Sequence, residues 1–96
     1  MRTILLGDVI STARALLNVR CDLRVDLLDT IIHQTDAAHH YQKRLSKPHP
    51  LWGNGSLMAR ANAEPQIKEP VASDTEYLEA LRMVIGAIIA RKVMAQ

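Results

Sequence analysis

The stretch His49-Pro50-Leu51-Trp52-Gly53-Asn54-Gly55-Ser56-Leu57-Met58 constrains this chain more than any other part of it. It holds the single tryptophan and two of the four glycines. Pro50 fixes one backbone dihedral, while Gly53 and Gly55 open conformations closed to other residues. Ser56 offers a hydroxyl to cap a helix beginning at Leu57. Such residues, gathered in so short a span, specify one particular loop: a corner that orients two helices, or a binding site.

The remainder reads as helix. Leu6, Val9, Ile10, Ala13, Leu16 and Leu17 recur at three- and four-residue spacing and predict a helix over about 6–18, with Asp8 near the positive end of its dipole. Asn18 to Cys21 is a break, and Asp22 is the expected N-cap of a second helix over about 23–45. At about 100° per residue, Leu27, Ile31, Ala38 and Leu45 form its buried line, flanked by Leu23, Thr35 and Tyr41. Asp22, Asp26, Asp29, His33, Asp36, His40 and Lys43 collect on the opposite side, and Pro48 and Pro50 end the helix.

A short third helix is expected over about 57–63, stopped by Glu64-Pro65. Residues 65–72 lack periodicity and read as an extended connector. Ser73 and Glu76 stand in capping-box register, with Asp74 as a rival cap, ahead of a last helix over about 74–94. Its expected buried stripe is Leu78, Leu81, Val84 or Ile85, and Ile88, with Tyr77 and Ile89 alongside. The fold class is therefore all-α: a compact single-domain helical bundle over residues 1–96, with three long helices and one short one. With no phenylalanine, its core must be built from Leu, Ile, Val, Ala and Met.

Twelve basic residues against ten acidic give a net charge of +2, too small a surplus to imply nucleic acid by itself. Cys21, the single cysteine, has no partner for a disulfide or a CxxC motif, which suits a reducing compartment. Arg2 and the apolar run after it begin like a signal peptide, but Asp8 and Arg14 interrupt it early. No apolar run approaches the roughly 20 residues of a membrane span. The expected setting is cytoplasmic, with no membrane partner.

Asp29 with His33, and Asp36 with His40, are four apart on one helix, and Asp36-x-x-His39 has a spacing used by metal sites in bundles. A zinc or iron site needs three or four ligands, and a single helix supplies all of these. A solvated polar face accounts for them, so no metal and no cofactor is expected. Gly53-x-Gly55-Ser56 resembles a small anion cradle, yet it lacks the preceding strand and the lysine of phosphate loops. Cys21 has no base in helix register, and no serine occupies a nucleophile elbow. No catalytic residue is assigned, and the expectation is a protein that is not an enzyme.

Lys43, Arg44 and Lys47, with His39 and His40 nearby, form the local basic cluster. Followed by Trp52 and by Arg60 and Asn62 on the next helix, they could meet a nucleic-acid backbone. The same cations also satisfy the negative end of a helix dipole. Trp52 is expected in the core, because a small core without Phe needs a large residue; exposed, it would be an anchor for a partner.

Gly7-Asp8, the run Asp36-Ala37-Ala38…Tyr41…Lys43-Arg44, the segment His49-Pro50-x-Trp52-Gly53-x-Gly55-Ser56-Leu57-Met58 and Asp74…Tyr77-Leu78 resemble a family of short uncharacterised alphaproteobacterial proteins. The resemblance covers most of the chain and is most specific in the His49–Met58 segment. It implies a bacterial cytosolic setting and carries over no activity, cofactor or catalytic residue.

The functional expectation is a small interaction or regulatory protein acting through a helix face or the Trp52 corner on a protein partner. Its candidate contact residues are Tyr41, Lys43, Arg44, Lys47, His49, Trp52, Asn54 and Arg60. The alternative is a nucleic-acid-binding regulator using the Lys43–Lys47 cluster and helix 57–63. The oligomeric state stays open. A contiguous basic face joining Lys43, Arg44, Lys47 and Arg60 would favour nucleic acid, and an apolar patch of several hundred Å² a protein.

Overall fold

The computed structural model describes residues 2–94. Four α-helices follow in order: α1 Leu6–Leu17, α2 Arg24–Leu45, α3 Leu57–Ala61 and α4 Thr75–Met94, with a 3-10 turn at Cys21–Leu23 before α2. Among the described residues there is no strand beyond a single antiparallel bridge between His49 and Gly53. The all-α bundle is as the periodicity predicts.

Helix α1 lies at the centre and touches each of the other three. Its apolar side supplies Val9, Ala13 and Leu16 to a core completed by Leu28 and Ile31 of α2, Leu57 of α3, and Tyr77, Ala80 and Val84 of α4. Leu16, Ile31, Leu57 and Val84 are wholly enclosed, and such side chains contribute about 1.5–3 kcal/mol each over leaving them in water. Thr12 and Thr35 are also enclosed, their hydroxyls donating back to the carbonyls of Asp8 (2.8 Å) and Ile31 (2.6 Å).

Polar side chains tie the helix ends. Arg24 donates from Nε to the carbonyls of Leu16 (3.0 Å) and Val19 (3.2 Å), satisfying the exit of α1, and its Nη2 lies 3.5 Å from Glu76 at the start of α4. Farther along, Arg91 of α4 grips both carboxylate oxygens of Asp36 on α2. Burial alone would raise the Asp36 pKa, but the positive charge around it, Arg91 included, holds it below its ordinary value. Helix α2 ends on Ser46, whose left-handed φ of 57° lets its N–H close on the Gln42 carbonyl at 2.9 Å.

Several local expectations change. Asp22 does not cap α2; it lies in the 3-10 turn and pairs with Arg20 at 3.0 Å. Asp74, rather than Ser73, caps α4, its Oδ1 accepting from the Tyr77 N–H at 3.0 Å. Leu23, in the turn before α2, and Leu45, at its end, are exposed, while Leu28, one turn into the helix, is buried. Asp36 is part of an ion pair rather than of a freely solvated face. The largest departure is in α4. Its buried line is Tyr77, Ala80 and Val84: Val84 is inside rather than its alternative Ile85, Leu81 and Ile88 are half-buried, and Leu78 and Ile89, expected in or beside the stripe, face outward with Ile85.

Candidate interaction surface

The corner after α2 is built as its residue types require. Pro50 and Leu51 turn the chain so that His49 and Gly53 exchange backbone hydrogen bonds of 2.8 and 3.2 Å. The His49 Nδ1 accepts from the N–H groups of Leu51 (3.0 Å) and Trp52 (3.1 Å). Its ring then stacks flat on Trp52, centroids 4.5 Å apart, and receives the edge of Tyr41 at 4.9 Å. Gly53 and Gly55 both have positive φ, 83° and 92°. A Cβ on Gly55 would lie 2.7 Å from the Cα of His39, so the loop presses directly on the α2 backbone. Burial there, with Lys43 and other nearby positive charge adding, pushes the His39 imidazole below its ordinary pKa. Asn54 Oδ1 accepts from the Ser56 N–H, and Ser56 Oγ from Ala59 at 3.1 Å, the cap expected for α3.

The candidate residues therefore separate. Tyr41, His49 and Trp52 come together in one half-buried stack outside the main core, so Trp52 is not the core plug that the composition suggests. Its flat neighbour is a histidine rather than the aliphatic interior. Asn54 is occupied within the loop. Lys43, Arg44 and Lys47 are exposed at the end of α2. Arg60 is not with them: it is buried, its Nε donating to Gln34 Oε1 at 2.7 Å and its Nη2 paired with Glu64 at 2.9 Å. No basic face joining Arg60 to the Lys43–Lys47 cluster exists. Asp8 is likewise buried, bridging two helix starts rather than decorating one. Among the described residues, no group of three or more His, Cys, Asp or Glu is placed to hold a metal ion.

The surface that the sequence reading missed is the outer side of α4. Leu78, Ile85, Ile89 and Val93 are 48, 45, 58 and 64% exposed and fall along one line of the helix. Two adjoining grooves share this line. One, of about 500 Å³, runs between α4 and the N-terminal segment and is lined by Ile4, Leu5, Leu6, Ile85, Ile88 and Ile89, with Lys92 at its edge. The other, of about 450 Å³, follows Leu78, Leu81, Ile85, Gly86 and Ile89, with Arg82 at its rim. Leu5 and Leu6 are also exposed, which makes the apolar surface continuous from residue 5 across α4. The available signal was composition: Met83 to Ala90 is apolar on every side of the helix, more than one buried stripe requires.

The residues on this surface can bury apolar area, with the Thr3 hydroxyl and the Lys92 amine among the lining of the larger groove and Arg82 at the rim of the other. No helix among the described residues is long and apolar enough to cross a membrane. A family model described as a domain of unknown function, DUF7742, matches residues 2–88. No curated protein and no solved structure matches the chain.

Proposed function

We propose that this chain, which belongs to the DUF7742 family of domains of unknown function, is a non-enzymatic protein-interaction or regulatory module that works through the outer face of α4. The observation that carries this reading is the continuous apolar surface formed by Leu5, Leu6, Leu78, Ile85, Ile89 and Val93 on a domain whose core is already complete without them. Contiguous exposed apolar surface of this kind marks association sites in soluble proteins. The burial of Arg60 favours this over the nucleic-acid reading, since it leaves Asn62, whose Oδ1 already accepts from Gln66 at 2.9 Å, as the one base-reading candidate of α3 beside Lys43, Arg44 and Lys47. The setting we propose is the bacterial cytoplasm, where the exposed thiol of Cys21 would stay reduced.

A photo-crosslinking amino acid placed at Ile89, and separately at Lys43 and Trp52, tests the reading in living cells. Protein adducts at Ile89 and not at Lys43 support it. Adducts confined to Lys43 or Trp52, or nuclease-sensitive adducts at Lys43, overturn it.

A further inference from the structure

We infer that the occupant of the α4 face is a second copy of this chain, its α4 lying antiparallel across the first with the twofold axis beside Gly86. This rests on the reading of that face as an association surface and names its partner.

Three independent features of α4 point to self-association. The first is Gly86. It lies inside a helix, where glycine costs about 1 kcal/mol relative to alanine. A Cβ built on it meets nothing within 4 Å, so no packing inside the monomer calls for its small size. It is near the middle of Thr75–Met94, on the outward side beside Ile85 and Ile89. A bare backbone at the centre of an apolar helix face admits a second helix at close range.

The second feature is charge order. Glu76 and Glu79 stand in the first turns of α4, and Arg91 and Lys92 in the last. Arg91 is committed to Asp36, which leaves Lys92 at the edge of the groove. An antiparallel pair brings the acidic start of one copy's α4 alongside the basic end of the other's, twice by symmetry, so the charges of Glu79 and Lys92 act across the two ends without a direct pair. In the same register Leu78 faces Val93, and Ile85 fits over the second copy's Gly86. Arg82 lies along Ile89 by its aliphatic stem while its guanidinium keeps its 3.5 Å contact with Glu79. The two helix dipoles also run in opposite directions. A purely acidic or purely basic partner helix would meet a like charge at one end of α4. A twofold copy meets opposite charge at both.

The third is area. The exposed parts of Leu5, Leu6, Leu78, Ile85, Ile89 and Val93 together offer on the order of 700 Å², close to the roughly 800 Å² that each partner contributes to a standard interface. A twofold interface also uses one patch twice, and this patch contains both halves of its own complement.

Sedimentation equilibrium of the full chain, from low micromolar to about 0.1 mM, tests the proposal. The expected result is a reversible dimer. Gly86→Leu, which the empty space around Gly86 lets the monomer tolerate, is expected to weaken it at least tenfold while helical circular dichroism is unchanged. Glu79→Lys and Lys92→Glu are each expected to weaken it, and the double exchange to restore it. A chain that stays monomeric throughout overturns the second-copy inference. Crosslinking at Ile89 to a different protein would then leave the wider reading standing. A dimer that survives Gly86→Leu associates through another surface and overturns the second-copy inference, while the crosslink at Ile89 still decides the wider reading. A dimer lost in both single charge variants and not recovered in the double variant overturns the antiparallel register.

Discussion

Asp8 and Met58, fifty residues apart, are joined by a 2.9 Å hydrogen bond from the Met58 N–H to Asp8 Oδ1. The other carboxylate oxygen accepts from the Leu5 N–H at 2.7 Å. One buried anion thus satisfies an orphan donor at the start of α1 and another at the start of α3, and the dipoles of both helices favour its charge. Leu5, at the N-cap of α1, has no acceptor of its own, so Asp8 supplies the reciprocal half of a capping box unaided.

Removing this carboxylate strands two backbone donors. Asp8→Ala is expected to cost about 3 kcal/mol, since each bond to a charged acceptor contributes about 1.5–3 kcal/mol and part of the loss relaxes into solvent. Asp8→Asn keeps one acceptor and is expected to cost about half as much. Ser56→Ala, which touches α3 alone, is expected to cost about 1 kcal/mol. Urea midpoints of the three variants give the order directly.

The glycines make a contrasting series. Gly55→Ala meets the His39 backbone at 2.7 Å with φ at +92°, and a loss of about 2 kcal/mol or more is expected. Gly53→Ala meets the Ala59 Cβ at 2.9 Å and should cost somewhat less, because a side-chain atom yields more easily than backbone. Gly86→Ala has the opposite sign: in dilute, monomeric protein it is expected to stabilise α4 by about 1 kcal/mol. Thermal unfolding of the three variants at one low concentration is the measurement.

Acid should weaken the fold in two separate windows. The His39 pKa is lowered in the folded state, so its contribution is complete above its ordinary value of 6.5 and is lost as pH falls through the lower folded value. The Asp36 pKa is lowered too, and its contribution, complete above 3.8, disappears at still lower pH. His39→Gln should flatten the upper part of the stability profile. Asp36→Asn should cost about 1 kcal/mol at neutral pH, as expected for a half-exposed ion pair, and the difference from the parent chain should vanish in strong acid.

Nucleic acid offers a direct comparison of surfaces. With Arg60 buried, the cluster at the end of α2 presents Lys43, Arg44 and Lys47, and three neutralised phosphates give a salt slope of about −2.7 on duplex DNA. No sub-micromolar binding to duplex or single-stranded nucleic acid is expected at about 0.15 M salt. Fluorescence anisotropy with random fragments would show it, and tight binding lost in a Lys43, Arg44 and Lys47 triple alanine variant would contradict the interaction reading.

What the sequence made legible follows from where its signals are local. Helices α1 and α2 could be drawn from their apolar spacing, and α3 from Ser56 and the glycines before it, because each signal lies within a turn or two of what it specifies. Asp8 could not be assigned its bridging role, since half of that role belongs to an amide fifty residues away. Arg60 left a faint trace in its four-residue spacing from Glu64, which read equally well as a surface pair. The inner face of α4 was legible only in part, at Tyr77 and Val84, for a different reason. Leu78, Ile85 and Ile89 are as apolar as Tyr77, Val84 and Ile88, so periodicity offers two stripes and no means of choosing. That same ambiguity marks the face now proposed to bind.

The connector between α3 and α4 has one more consequence. It carries no regular structure and is tied down by a few bonds, chiefly from Arg14 Nε to the Ile67 carbonyl at 2.8 Å and from Tyr77 to Glu69 at 3.2 Å. Helix α4 is held instead by its inner side chains against α1, and by Arg24 and Asp36 near its two ends. Cleavage between Lys68 and Glu69 is therefore expected to leave the fold in place while both pieces are present. A severed fourth helix supplied in trans is then expected to find its seat again, as a ligand rather than as a limb.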